Sequence, residues 1–181
     1  AVSARSSCEA CLLPPENMIE MVGPTVQRFT MSGHARVLVL ATKATIESEI
    51  YQNEFRTVGI EADGVVLPHL VPLIEGEGSE VEMEKMVHDV LSGALRSEYT
   101  HVVLGCTHFP LVRAVFEKVL ETLASDAVLV DPAESVAEVV ATRFAVEGKG
   151  TTRILVSAKS PVFESFVHTL FPEETHVLEV L

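Results

Sequence analysis

Short, unbroken apolar runs alternate with amphipathic stretches along most of this chain. Residues 36–42 (Arg-Val-Leu-Val-Leu-Ala-Thr) and 101–104 (His-Val-Val-Leu) have the length and continuity of strands buried on both faces. Residues 127–130 and 153–157 predict further strands, and residues 176–181 a short closing one. Between them the apolar spacing turns helical. Ile46, Ile50 and Tyr51 mark a helix over 43–51. Val81, Met86, Val90, Leu91 and Leu95 supply the stripe of a longer one over 79–98. Ser79-Glu80-Val81-Glu82 has capping-box spacing at its start. Residues 111–124 predict the next helix, and another begins after Asp131. Residues 160–171 predict one more, with Phe163, Phe166, Val167 and Leu170 facing inward. Near the beginning, a helix over 24–31 carries Pro24 in its first turn and ends at Gly33. The stretch 64–75 is apolar, but Pro68 and Pro72 keep it from being a clean central strand. Strands alternating with helices predict an α/β fold, a doubly wound parallel sheet with helices on both faces.

Composition narrows the class. The 181 residues are 48% hydrophobic and 22% charged, a globular balance with enough chain to bury a real core. The formal charge of −13 argues against nucleic acid and anionic membranes as partners. No apolar run approaches the roughly 20 residues that cross a bilayer. No secretory leader pattern opens the chain. Three cysteines do not make a disulfide framework, and a cytoplasmic, reducing location is the expectation. Cys8 and Cys11 have the spacing of a redox pair or half a zinc site. No second pair or histidine cluster completes it, so they read as incidental thiols on an irregular arm over 1–17, and no metal site is expected. His168 and His176 have no motif around them and read as surface residues.

The chemistry concentrates at residues 101–111. After the apolar run, Gly105 permits a close approach, and Cys106, Thr107 and His108 place a thiol, a hydroxyl and an imidazole side by side. Phe109-Pro110-Leu111 then starts a helix with proline in its first turn. Cys106 thus sits at the carboxyl end of a strand, where open α/β sheets place their sites. A helix amino terminus and a neighbouring histidine both favour a thiolate close to neutral pH. Thr42 and Thr45 stand at another strand end, either as an anion cradle or as helix caps. An imidazole in the role of His108 needs some carboxylate to orient it, and Glu75, ahead of Gly76-Glu77-Gly78, reads by itself as a solvated loop acid. Asp131 reads as a helix cap rather than a catalytic group.

Leu104-Gly105-Cys106-Thr107-His108-Phe109-Pro110-Leu111 resembles the second catalytic motif of the aspartate/glutamate racemase superfamily, most of all that of the glutamate racemases. Two further segments match. Ala41-Thr42-Lys43-Ala44-Thr45 is similar to the family's Gly-Thr-x-x-Thr, with Ala41 for the glycine, and Val71-Pro72-Leu73-Ile74-Glu75 to its Val-Pro-Leu-Val-Glu. The resemblance implies two α/β lobes facing a cleft. Residues 1–31 would be an irregular arm and remnant of the first lobe, 32–130 the second lobe, and 131–181 a segment crossing back. It implies a cofactor-independent racemase converting L- to D-glutamate for peptidoglycan and cell wall synthesis. Cys106, His108 and Glu75 would be catalytic, and Thr42, Thr45 and Thr107 would bind a small amino-acid substrate. Family enzymes use two cysteines on opposite faces of the substrate. Neither the opening Asp-Ser-Gly-x-Gly-Gly nor the first catalytic Cys-Asn-Thr occurs in these residues, so the chain reads as an amino-terminally shortened racemase with an incomplete first lobe. Uncovered apolar surface then predicts a homo-oligomer. Alternatives stay open: an aspartate racemase, a hydantoin racemase or a maleate isomerase within the superfamily, and a non-catalytic remnant that binds a small carboxylate or a partner protein.

Overall fold

A computed structural model of the chain describes residues 19–31, 35–144, 153–158, 160–171 and 177–180. Cys8, Cys11, Gly33 and His176 lie outside the described residues. Four strands form one parallel sheet: β1 (Arg36–Ala41), β2 (Glu61–Val66), β3 (His101–Leu104) and β4 (Val128–Val130), in the order β2-β1-β3-β4. The connections are helical. α1 (Val22–Gln27) precedes the sheet, and α2 (Lys43–Glu47) and α3 (Ile50–Thr57) join β1 to β2. α4 (Glu80–Ala94) leads to β3, α5 (Arg113–Thr122) to β4, and α6 (Pro132–Arg143) follows β4. A second, two-stranded parallel sheet pairs β5 (Arg153–Val156) with β6 (Val177–Val180), α7 (Pro161–Leu170) lying between them in sequence.

Each central strand feeds two cores because its side chains alternate between faces. On one face Leu38, Leu40, Val102 and Leu104 pack against Val87 and Leu91 of α4 and Val115, Phe116 and Val119 of α5. On the other, Val37, Val39 and Val103 meet Val22 and Val26 of α1 and Tyr51 and Phe55 of α3. The sheet is therefore doubly wound, as the alternation predicts. From β1 the chain goes first to one neighbour, β2, and later to the other, β3. The carboxyl ends of β1 and β3 flank the point where the winding reverses, and a crevice opens there in such sheets.

Several local expectations are corrected. The first helix starts at Val22 rather than Pro24, because the Glu20 carboxylate accepts the free N–H groups of Val22 and Gly23 at 2.7 and 2.8 Å. The single helix expected over 43–51 is two, broken where Glu49 takes a left-handed φ of 50°. β2 begins at Glu61, ahead of the proline-broken stretch, and forms a sheet edge. In α4 the capping box of Ser79 and Glu82 forms, but Val81 is 74% exposed. Val87, not read as part of the stripe, is buried there. In α7 only Val167 is fully buried, and Phe163 and Leu170 face solvent.

Candidate active site

The turn after β3 is built around a close approach. Gly105 donates its N–H to Leu40 O at 2.8 Å, continuing the β1–β3 ladder one step past the last paired residues. A Cβ at Gly105 would stand 3.2 Å from the same carbonyl, 3.0 Å from Val39 Cγ1 and 3.2 Å from Tyr51 Cε2. Glycine is what lets the strand end sit so low. Cys106 follows, only 9% exposed. Backbone N–H groups of His108 and Phe109 face its sulfur, which favours the thiolate, but burial is the larger effect and pushes the thiol above its ordinary range. The expected near-neutral thiolate is thus corrected for this structure. The reason is desolvation of the buried sulfur, which outweighs the nearby backbone donors; the residues after it form a 3-10 turn, Phe109–Val112, and α5 starts at Arg113.

His108 Nε2 lies 2.9 Å from Glu75 Oε1. The carboxylate comes from a π-type turn, Leu73–Glu77, that follows a single helical turn, Leu70–Pro72. Gly76, next to it, has φ 121°, a conformation that favours glycine. The imidazole also stacks on Phe166 of α7, the ring centroids 6.3 Å apart and the planes 18° from parallel. At the end of β1, Thr42 precedes α2 in extended conformation without a side-chain capping bond. Its Oγ1 meets Thr45 Oγ1 at 3.2 Å. Because β1 and β3 are paired neighbours in parallel, the Thr42–Thr45 segment and the exposed Thr107 follow strand ends at the same edge of the sheet. Asp131 caps α6, accepting the Ala133 N–H at 2.8 Å.

Two side chains at this edge carry little site signal in the sequence. Tyr51, 2% exposed, packs under Gly105. Burial, then Glu20, Cys106 and Asp131, push its hydroxyl well above the ordinary phenol range, so it stays protonated. Its helical spacing in the sequence marks it as core, and only its position six residues after Thr45 hints at the site. Phe166 comes from a helix distant in sequence and left no signal beyond its own inward position. Among the described residues no group of three or more histidine, cysteine and acidic side chains is placed to hold a metal ion. No described helix is long and apolar enough to cross a membrane.

A buried cysteine, a carboxylate-paired histidine and a threonine pair lie at the reversal point of a doubly wound sheet, groups whose chemistry suits proton transfer. Residues 15–140 match the family described as Asp/Glu/Hydantoin racemase, and the chain belongs to that family. The glutamate racemase of Lactobacillus acidophilus is 29% identical over 147 residues, 77% of this chain and 54% of that protein. That of Koribacter versatilis is 38% identical over 114 residues, 61% of this chain and 38% of that one. The chain therefore spans about half, or less, of the length of these relatives. Among solved structures, a glutamate racemase isoform of Bacillus anthracis superposes with a TM-score of 0.79 at 18% identity, over 99% of this chain and 70% of that one. The glutamate racemase of Francisella tularensis in complex with D-glutamate gives 0.75 at 23%, over 90% and 63%. The fold is that of the racemases.

Proposed function

We propose that this chain carries one catalytic half of a cofactor-independent glutamate racemase. Cys106 exchanges the α-proton on one face of the substrate, and His108, held by Glu75, shuttles protons to and from it. The observation that carries this is the 2.9 Å His108–Glu75 pair two residues from a buried thiol at the sheet's reversal point. An imidazole held by a carboxylate keeps a defined orientation and is stabilised when it takes the thiol's proton. A bound amino acid brings its α-ammonium charge to the sulfur, which lowers the thiol from the raised value burial gives it. Thr42, Thr45 and Thr107 supply hydroxyl donors for the substrate carboxylate as the carbanion develops. Glutamate is favoured because the relatives named above are glutamate racemases and one of them is seen with D-glutamate. In this proposal residues 32–130 are the second lobe, the segment after 131 crosses back, and the protein works in the cytoplasm, supplying D-glutamate for cell wall synthesis.

Deuterium wash-in at the α-carbon tests the proposal. The thiolate takes the α-proton, the sulfur exchanges it with solvent, and a deuteron returns to carbon from the same face. The full chain in D2O is expected to exchange the α-proton of one glutamate enantiomer faster than it inverts it, and Cys106→Ala to lose that exchange by about 100-fold or more. Absence of exchange with glutamate, aspartate and hydantoins alike rejects the proposal. A second reading, a non-catalytic carboxylate binder, is favoured by the burial that keeps Cys106 protonated. It predicts equal calorimetric binding of glutamate by wild type and Cys106→Ala, with no exchange in either.

A further inference from the structure

The ring of Tyr51 packs beneath the turn that carries the candidate thiol. It is fully buried on α3, among Phe29, Phe55, Val39 and Val103. Its Cε2 edge stands 3.2 Å from where a Gly105 Cβ would be, a space open only because residue 105 is glycine. Gly105 is also pinned from β1 by Leu40 O at 2.8 Å. The turn is thus fixed at its base from two directions, a carbonyl along the sheet and an aromatic edge from below. Immediately above that base, the Phe109 N–H bonds the Cys106 carbonyl at 3.1 Å, and the backbone N–H groups of His108 and Phe109 face the Cys106 sulfur. That arrangement needs Cys106, His108 and Phe109 in fixed relation, and such contacts weaken steeply once distance and angle drift.

We infer that Tyr51 is a positioning residue for Cys106: its ring is the floor on which the Gly105–Cys106 turn rests, holding the sulfur against the two backbone donors. The ring, rather than the hydroxyl, does this. The phenol is buried beside groups that carry or form negative charge, and it remains a neutral side chain throughout any reaction at Cys106. The inference rests on the proposal that Cys106 is the reactive thiol, and adds a residue from the opposite face of the sheet to that site. It assigns the crowding at Gly105 a purpose: the glycine makes room for the aromatic edge, and the edge in turn sets the height of the strand end.

The test is the pH dependence of alkylation at Cys106, measured with iodoacetamide on the full chain and read on the Cys106 peptide by mass spectrometry, so that Cys8 and Cys11 do not interfere. No substrate is needed, so failure of the racemase proposal leaves the measurement intact. Tyr51→Phe keeps the ring and is expected to retain the wild-type midpoint. Tyr51→Leu removes the floor, lets the turn relax away from its donors, and is expected to raise the midpoint by about one pH unit, a roughly tenfold loss of thiolate at neutral pH. Circular dichroism establishes that each variant is folded. Should Tyr51→Leu not fold, Tyr51→Met, closer in volume but without a ring edge, takes its place with the same expectation. A leucine or methionine variant with the wild-type midpoint, or a phenylalanine variant that shifts as far as leucine, overturns the inference. The first outcome makes the ring mere core filling, and the second moves the role to the hydroxyl.

Discussion

Glu75 and His108 are 33 residues apart and meet through a single hydrogen bond at the rim of the sheet. Both side chains are partly exposed, so the contact adds little to stability, and its value is in orientation. Glu75→Gln keeps a hydrogen-bonding group of the same size but removes the charge that stabilises a protonated imidazole. It is expected to slow α-deuterium exchange by about 10- to 100-fold while shifting the unfolding free energy by no more than about 0.5 kcal/mol. Exchange at the wild-type rate would make Glu75 a loop carboxylate that happens to lie near. At this scale the sequence was informative where a residue's chemistry is its signal: Cys106, His108, Thr42 and Thr45 are polar residues abutting apolar strands. It is silent on Tyr51, whose periodicity says only that it is buried, and on Phe166, whose ring partner His108 stands far away in sequence. The height of the thiol's pKa is not legible either. Desolvation depends on the packing of the whole turn, which no local string encodes.

At the scale of elements, α1 and β3 are joined by a ring contact with a titratable member. Phe29, just past α1, meets His101 at the start of β3 with centroids 4.8 Å apart, and Thr100 Oγ1 lies 2.8 Å from His101 Nδ1. Burial lowers the His101 pKa below its ordinary value. Above about pH 6.5 both folded and unfolded chains hold this histidine neutral. As pH falls through that value the unfolded chain binds the proton first, so the folded state loses stability until its own lower pKa is reached. The urea midpoint is therefore expected to fall between about pH 7.5 and pH 5.5 more steeply for wild type than for His101→Gln, other titrations being common to both. Parallel slopes would show that His101 is not a source of acid sensitivity. Element boundaries were legible where a cap announces them, as Ser79 and Glu82 do for α4. They were not legible where the backbone alone breaks, as at Glu49 with its left-handed φ. The start of β2 at Glu61 was hidden because an edge strand with Glu61 and Asp63 turned outward lacks the continuous apolar signature of β1 and β3.

For the whole molecule, the division of apolar surface is uneven. The four-stranded sheet is covered on both faces, by α4 and α5 on one and by α1 and α3 on the other. Around the two-stranded sheet, by contrast, Leu155 is 50% exposed, and Val162 and Phe163 of α7 are 54% and 39% exposed. A parallel strand pair is a form that otherwise occurs with both faces buried. The helical spacing of Phe163, Phe166, Val167 and Leu170 predicts an inward face for α7, and the described residues bury only Val167 fully. The apolar stripe is thus legible in the sequence, but among the described residues it is fully covered only at Val167. Exposed apolar side chains grouped along one helix favour association. The chain is expected to sediment as a concentration-dependent dimer or larger homo-oligomer, and Val162→Asp to shift it toward monomer. That substitution is on an exposed position, so the thermal midpoint should move by no more than a few degrees. A wild-type chain that sediments as a single monomeric species across the micromolar range would show that the exposed face of α7 is tolerated in water without a partner copy.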